Sequence, residues 1–223
     1  MKCSPEYLSK VFVENVYADC YHLKKLTFQP DVVYDIGGNV GTFAMFAKML
    51  FPLAKIITVE PDPDNFARLQ QVAECLPDIV AVHAAIGTGQ QWKYEGCEPG
   101  MHHFISAGVG YTPEALDAAT CYQRVEVPTI LLDALYAQHG GKDILVKMDC
   151  EGAELDLFQH APSDAILRQA RYVCAEIHFA ATSVAIAGEA YMKRLDWIHS
   201  MQATHAIDLD IWCHGATVWM TKR

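Results

Sequence analysis

The sequence predicts an α/β fold built on a largely parallel sheet. Short β-branched runs alternate with helical stretches from Val32 onward, and strands separated by helices are the mark of parallel βαβ units. A glycine-rich bend follows the first run directly, as a strand-to-helix turn requires. The chain has 223 residues, 52% hydrophobic and 20% charged, which is ordinary globular usage with room for one large core. Residues 1–223 are therefore expected to form a single domain.

Residues 1–30 read as an N-terminal helical flap, with apolar positions at Leu8, Phe12, Val16 and Leu23. The regular alternation then begins. "VVYDI" (32–36) is a strand, Thr42 to about Leu50 a helix, "KIITV" (55–59) a strand, Asp64 to about Leu76 a helix, and "IVAVHA" (79–84) a strand. From Gly87 to Pro128 Gly, Pro and polar residues blur the pattern. A segment this long without a clear period is expected to be a variable excursion over the sheet edge, and 87–128 a possible acceptor-binding region. Regularity returns with a helix in "TILLDALYAQHG", a strand "DILVKMD" (143–149), a helix beginning in "GAELDLF", a strand "RYVCAEIHF" (171–179) and a helix around Glu189 to Met201. The end reads as two strands joined by a Gly-containing loop.

A formal charge of −10, with no basic run longer than Lys24-Lys25, argues against a nucleic-acid partner, because a phosphate backbone would meet net repulsion. No window approaches the roughly 20 apolar residues of a membrane span, and the N-terminal stretch lacks a signal-peptide core. The expectation is a soluble, cytoplasmic protein with no membrane partner. Eight cysteines without a CxxC pair fit neither a zinc knuckle nor a disulfide framework. Cys150 is expected to fill space rather than to attack.

The bend "DIGGNVGT" carries the first candidate site. Asp35 closes the strand, Gly37, Gly38 and Gly41 permit a tight turn with close backbone approach, Asn39 sits among them, and Thr42 is placed to cap the next helix. In an open parallel sheet, ligands bind beyond the carboxyl ends of the strands. The bend should hold a ligand that accepts backbone N–H bonds or lies against bare glycine. A dinucleotide fingerprint is broken by Asn39 at its second glycine, and no Gly-Lys-Ser/Thr follows for a P-loop. Glu60, nineteen residues after Gly41 and followed by Pro61, is placed to take a ribose diol. Acids on both strand ends favour S-adenosylmethionine, which is cationic at sulfur and carries no phosphate. Its adenine would lie near Ala85 and Ile86, after the third strand. A nicotinamide-dependent oxidoreductase and a non-catalytic cofactor-binding assembly module are the alternatives.

With "DIGGNVGTF", "TVEPDPDNF", "VPTILLDAL", "ILVKMDCEGAELDLF" and "AEIHF" in view, the chain resembles the FkbM family of S-adenosylmethionine-dependent methyltransferases from about Val32 to Phe179. The most specific part is the Lys-x-Asp-x-Glu-Gly-x-Glu signature at Lys147, Asp149, Glu151, Gly152 and Glu154. The resemblance implies a Rossmann-like class I methyltransferase, with helices on both faces of a seven-stranded, mostly parallel sheet whose last strand is antiparallel. It also implies O-methylation of a sugar, glycan or natural product. Gly38 stands where the family usually has Ala, and Cys150 where Val is commoner.

The second candidate site lies on the later strands. Asp149 ends one, Glu176 and His178 end the next, and neighbouring strands stand about 4.8 Å apart, so these groups can converge beside the cofactor's methyl. Lys147, Asp149, Glu176 and His178 are the candidate catalytic residues. Methyl transfer needs in-line alignment and removal of a hydroxyl proton. Either His178 acts as general base, or Asp149, Glu176 and His178 hold a divalent cation such as Mg²⁺ that acidifies the acceptor. Glu176 could instead pair with Lys147 as a structural ion pair, and Glu154, in the first turn of a helix, is expected to be structural. The partner is expected to be a small-molecule or glycan acceptor. Trp92, Tyr94 and Tyr111 could stack on it or pin the excursion, and Trp212, His214 and Trp219 could do the same or pack a hairpin. His102-His103 cannot easily chelate one ion, since adjacent residues of an extended chain point apart.

Overall fold

The computed structural model describes residues 9–10, 12–87, 91–95, 102–106, 122–125, 127–150, 153–177, 209–214 and 217–222. His178, Glu151, Gly152, Tyr111 and the helix expected around Glu189 to Met201 lie outside the described residues.

Five strands run parallel in the order β3 (Ile79–Val82), β2 (Lys55–Val59), β1 (Val32–Ile36), β9 (Ile144–Met148) and β10 (Tyr172–Ile177). Beyond β10 the sheet continues with β12 (Thr217–Lys222), antiparallel to it, and β11 (Leu209–His214), antiparallel to β12. β1 and β9 are buried along their whole length, which explains why each has only one charged residue, Asp35 and Lys147: a central parallel strand is covered on both faces. The shift from β1 to β9 as neighbours, with β2 on the other side, opens the crevice at the carboxyl ends where the chain order reverses.

Each face has its own core. Helices α1 (Thr42–Leu50) and α2 (Pro63–Cys75), with the N-terminal segment, cover Val33, Ile56, Leu145 and Tyr172. Helices α3 (Leu132–His139), α4 (Ala153–Gln159) and α5 (Ala161–Gln169) cover Tyr34, Ile57, Val146 and Val173. α2 starts where its sequence says it should. Asp62 accepts from the amides of Asp64 and Asn65, both at 3.0 Å, and Pro63 takes the first helical position. The expected cap at the head of α1 is not formed by Thr42; Gly41 is the capping residue, without a side-chain bond, and Thr42 is already helical and buried.

The N-terminal segment is not one continuous helix. A single π turn, Val13–Tyr17, ends at Ala18, and a short 3-10 turn, Leu23–Lys25, follows. Asp19 causes the break: it sits at positive φ, and its carboxylate accepts from the amides of Leu23 at 2.8 Å and Lys24 at 3.0 Å, capping the second turn. The excursion also holds more order than its composition predicts. β5 (Gln91–Glu95), β6 (His102–Ser106) and β7 (Tyr122–Val125) form a separate antiparallel sheet in the order β6-β5-β7. β4 (Ala85–Ile86) and β8 (Thr129–Ile130), which flank it in sequence, pair with each other and bring the chain back to the main sheet. No helix among the described residues is long and apolar enough to cross a membrane.

Candidate active site

Strand register sets a polar band across the face that α1 covers. Thr58 stands opposite Asp35, Asp35 opposite Lys147, and Lys147 opposite Cys174. Thr58 donates to Asp35 Oδ2 at 2.7 Å, and Lys147 Nζ lies 3.2 Å from Asp35 Oδ1. Both charges are deeply buried, Asp35 fully and Lys147 to 3% exposure. Burial raises Asp35 above the usual carboxylate range, with Lys147 and Thr58 opposing that rise. Burial alone would lower Lys147, but Asp35 and then Asp149 carry it upward, as a cation with two acids beside it should behave. The carboxylate that Lys147 pairs with in this band is Asp35, which was expected to face a cationic ligand directly.

One pleat further toward the carboxyl ends, the same face carries Glu60, the glycine bend, Asp149 and Glu176. Ala175 stands opposite Met148, so the register continued by one pair sets Glu176 beside Asp149. Glu176 is itself opposite Trp219, and Trp219 opposite Trp212, so both tryptophan positions fall in the same row. Among the described residues no group of three His, Cys, Asp or Glu side chains is arranged to hold a metal ion, and the proposed third ligand, His178, is outside them.

The glycine bend is shaped by the protein's own packing. Gly37 has φ +83, and a Cβ there would fall 1.8 Å from the Asp149 carbonyl oxygen, so only glycine lets the bend lie against the end of β9. A Cβ at Gly38 would fall 2.1 Å from Thr58 Oγ1. The glycine at 38 thus makes room for the hydroxyl that holds Asp35.

Every amide of the bend already has an acceptor within the chain. Those of Gly37 and Gly38 donate to the Val59 carbonyl at 3.0 and 2.8 Å, and that of Asn39 to Glu60 Oε2 at 2.8 Å. Val40 donates to Asn39 Oδ1 at 2.8 Å and Gly41 to the Gly38 carbonyl at 2.9 Å. The expectation of a ligand accepting these N–H bonds is therefore corrected. Such a loop is not an anion cradle, since a phosphate nest needs amides aimed at the ligand.

Glu60 is 5% exposed and receives the Asn39 amide on one oxygen and the Asp62 amide, at 2.9 Å, on the other. Burial pushes it up to about 7, with the two backbone bonds opposing. Each carboxylate oxygen keeps a second acceptor position, and two acceptors on one rigid group match a ribose diol. Pro61, next in sequence, is fixed from behind: its carbonyl accepts from His83 Nε2 at 3.0 Å, and His83 stacks on Phe66 at 4.5 Å between ring centres. Ala85 and Ile86 are buried in β4, and Ile86 belongs to the core under α3, so they do not join this row.

Three contributions were not read from the sequence. Tyr21, on the N-terminal segment, donates to Asp149 Oδ2 at 3.0 Å, packs edge-on against Phe43, and lies with Phe43 over the Lys147 ammonium. Tyr172 anchors it by donating to the Tyr21 carbonyl at 2.9 Å. Thr58 is the second; an isolated strand threonine carries no signal until its partner is known. Asp62 is the third, and its place before Pro63 was a legible helix start. Cys150 packs, partly buried, against the core under α3, and its thiol is pushed well above the ordinary range, first by burial and then by Glu154 and Asp149. Glu154 is fully buried and accepts from the Cys150 amide at 2.6 Å, a structural role.

A five-strand parallel sheet with helices on both faces, whose chain order reverses between β1 and β9, gives a Rossmann-like α/β methyltransferase fold. The family model described as the Methyltransferase FkbM domain matches residues 35–203. The chain belongs to the FkbM family of S-adenosylmethionine-dependent methyltransferases. It is 28% identical over 184 residues to the 31-O-demethyl-FK506 methyltransferase FkbM of Streptomyces tacrolimicus, covering 71% of this chain and 70% of that protein. It is 26% identical over 155 residues to the hexuronic acid methyltransferase AglP of Haloferax volcanii, covering 67% of this chain and 57% of that protein. A solved methyltransferase structure from Geobacter sulfurreducens superposes with a TM-score of 0.48 at 12% identity, covering 100% of this chain and 90% of that one.

Proposed function

We propose that the chain transfers the methyl group of S-adenosylmethionine to a hydroxyl oxygen of a sugar, glycan or small natural product. The observation that carries this reading is the single row of Glu60, the bend, Asp149 and Glu176 along the carboxyl edge. With Glu60, Asp149 and Glu176 on one face of the sheet, a nucleoside diol and an acceptor hydroxyl could be held side by side, which supports this reading. The cofactor, when bound, supplies an electrophilic methyl on a cationic sulfur.

Glu60 would hold the ribose hydroxyls, and the bend, with its amides taken and acids beside it, would favour a cation over a phosphate. Asp35 would act from within, as the counter-ion of Lys147. Asp149 and Glu176 would orient the incoming hydroxyl, and His178, two residues after Glu176 in sequence, would take its proton. Relatives whose names specify 31-O-demethyl-FK506 and a hexuronic acid support acceptors that carry hydroxyls. The bend argues against the nicotinamide-dependent alternative for the same reason it is not a phosphate site.

The experiment is transfer of label from S-adenosylmethionine carrying a tritiated methyl to a panel of hydroxylated macrolides and hexuronic acid glycosides, with product mass and methyl position read by mass spectrometry. Label on oxygen in at least one acceptor is expected. Label on nitrogen or carbon, or none while the chain binds S-adenosylmethionine, would refute O-methylation of this class.

A further inference from the structure

We propose that Lys147 is a positioning residue that holds the cofactor loop through the Gly37 carbonyl, rather than a participant in methyl transfer; this rests on the reading of the bend as the S-adenosylmethionine site. Its ammonium donates to the Gly37 carbonyl at 2.6 Å and lies 3.5 Å from the Ile36 carbonyl. The peptide between Gly37 and Gly38 is consequently pinned from both ends, its oxygen by Lys147 and its N–H by the Val59 carbonyl. That peptide is where the chain leaves β1, and its orientation fixes the direction of the following amides, including the Asn39 amide that meets Glu60.

The ammonium is enclosed on every side the structure describes. Asp35 lies beside it, Tyr21 and Phe43 place their rings 5.7 and 5.4 Å away, and Asp149 Oδ2 stands 4.0 Å from it at the strand end. A group so placed touches loop backbone and not the crevice. Four elements meet at this one cation: β1 through Asp35, β9 which carries it, α1 through Phe43, and the N-terminal segment through Tyr21. It stands as a peg under the loop, and Tyr21 is the cover over the peg.

A purely structural cation predicts something different, because removing both members of a buried ion pair is often nearly neutral for stability. Lys147→Met alone leaves Asp35 buried without its cation and is expected to lose stability. In the Asp35→Asn background the charge is balanced, so Asp35→Asn/Lys147→Met and Asp35→Asn/Lys147→Gln can be compared at equal charge. The glutamine carboxamide keeps an N–H donor for the Gly37 carbonyl and methionine keeps none.

S-adenosylmethionine affinity by titration calorimetry is expected to be at least tenfold weaker than wild type in the methionine variant and at least threefold tighter in the glutamine variant than in the methionine one. Equal affinity in the two double variants, or wild-type affinity in the methionine variant, overturns the assignment. Hydrogen exchange across 37–41 in the glutamine variant gives a second reading should the methionine variant not fold. Exchange across 37–41 that stays close to wild type, with binding retained, supports the role of the N–H donor, and faster exchange there with wild-type affinity overturns it. Absence of S-adenosylmethionine binding by the wild-type chain is a separate outcome, which refutes the reading of the site itself and takes this assignment with it.

Discussion

Lowering the pH from 8 to 6 is expected to weaken S-adenosylmethionine binding about tenfold, through Glu60 alone. In the proposed complex two ribose hydroxyls would donate to the carboxylate, so the bound state would hold it ionised, whereas burial pushes the unliganded group up to about 7. The apparent dissociation constant then rises by the inverse of the ionised fraction, about 11-fold at pH 6 and about 1.1-fold at pH 8. Stability of the unliganded protein moves the opposite way. The folded value, about 7, lies above the ordinary 4.5, so the folded state binds more protons between those limits. Stability is therefore lost as the pH rises through that window, by about 3 kcal/mol once it is passed. Titration calorimetry at pH 6, 7 and 8, on wild type and Glu60→Gln, measures the first effect, and any titration of the ligand is common to both proteins. A flat affinity in wild type, or a slope that survives in Glu60→Gln, would refute the placement of the ribose on this carboxylate.

Three further outcomes follow from the geometry. Gly38→Ala is expected to cost about 1 to 3 kcal/mol, because its methyl meets Thr58 Oγ1, and most of that cost should vanish in the Thr58→Ala background. Urea unfolding of the four proteins decides it, and strictly additive effects would show that the methyl is accommodated elsewhere. Tyr21→Phe removes only the bond to Asp149 and should cost about 1 kcal/mol, against about 3 to 5 for Tyr21→Ala, which also empties the space beside Phe43; chemical denaturation that fails to separate the two refutes the packing described. Turnover on an active acceptor is expected to persist in excess EDTA, with His178 as the base; activity lost to chelation and regained with Mg²⁺ would move acceptor activation to a cation on Asp149 and Glu176.

The parallel core and the bend were legible because their causes are local. Val32–Ile36 and Ile144–Met148 are buried on both faces and read as apolar runs broken only by Asp35 and Lys147, and Gly37 must bend wherever such a strand ends. Glu60 was legible for the same reason, since it follows its strand directly. The N-terminal break was harder to see: Asp19 stops the helix through its own side chain, yet the apolar period carries on past it. α5 went unread although Pro162 sits in its first turn, because the helix before it ends only at Gln159. β5 to β7 were hidden by the glycines and prolines between them. Tyr21 could not have been found at all, since its partner is 128 residues away and no local pattern marks it. What the bend's glycines make room for within the protein, the Asp149 carbonyl and Thr58, was hidden for a related reason: it lies on other strands.

The contacts of Tyr21 also bear on how the chain is made. Its partners Asp149 and Tyr172 leave the ribosome long after it does, so the opening segment has no berth while the first βαβ units are being synthesised. It can settle only when the β9–β10 pair has closed, which makes its docking a late event and a natural marker of completed assembly. A fragment trimmed to the family-matched stretch, 35–203, would retain the pieces of the crevice but leave the Lys147 ammonium open to water on the side that Tyr21 covers.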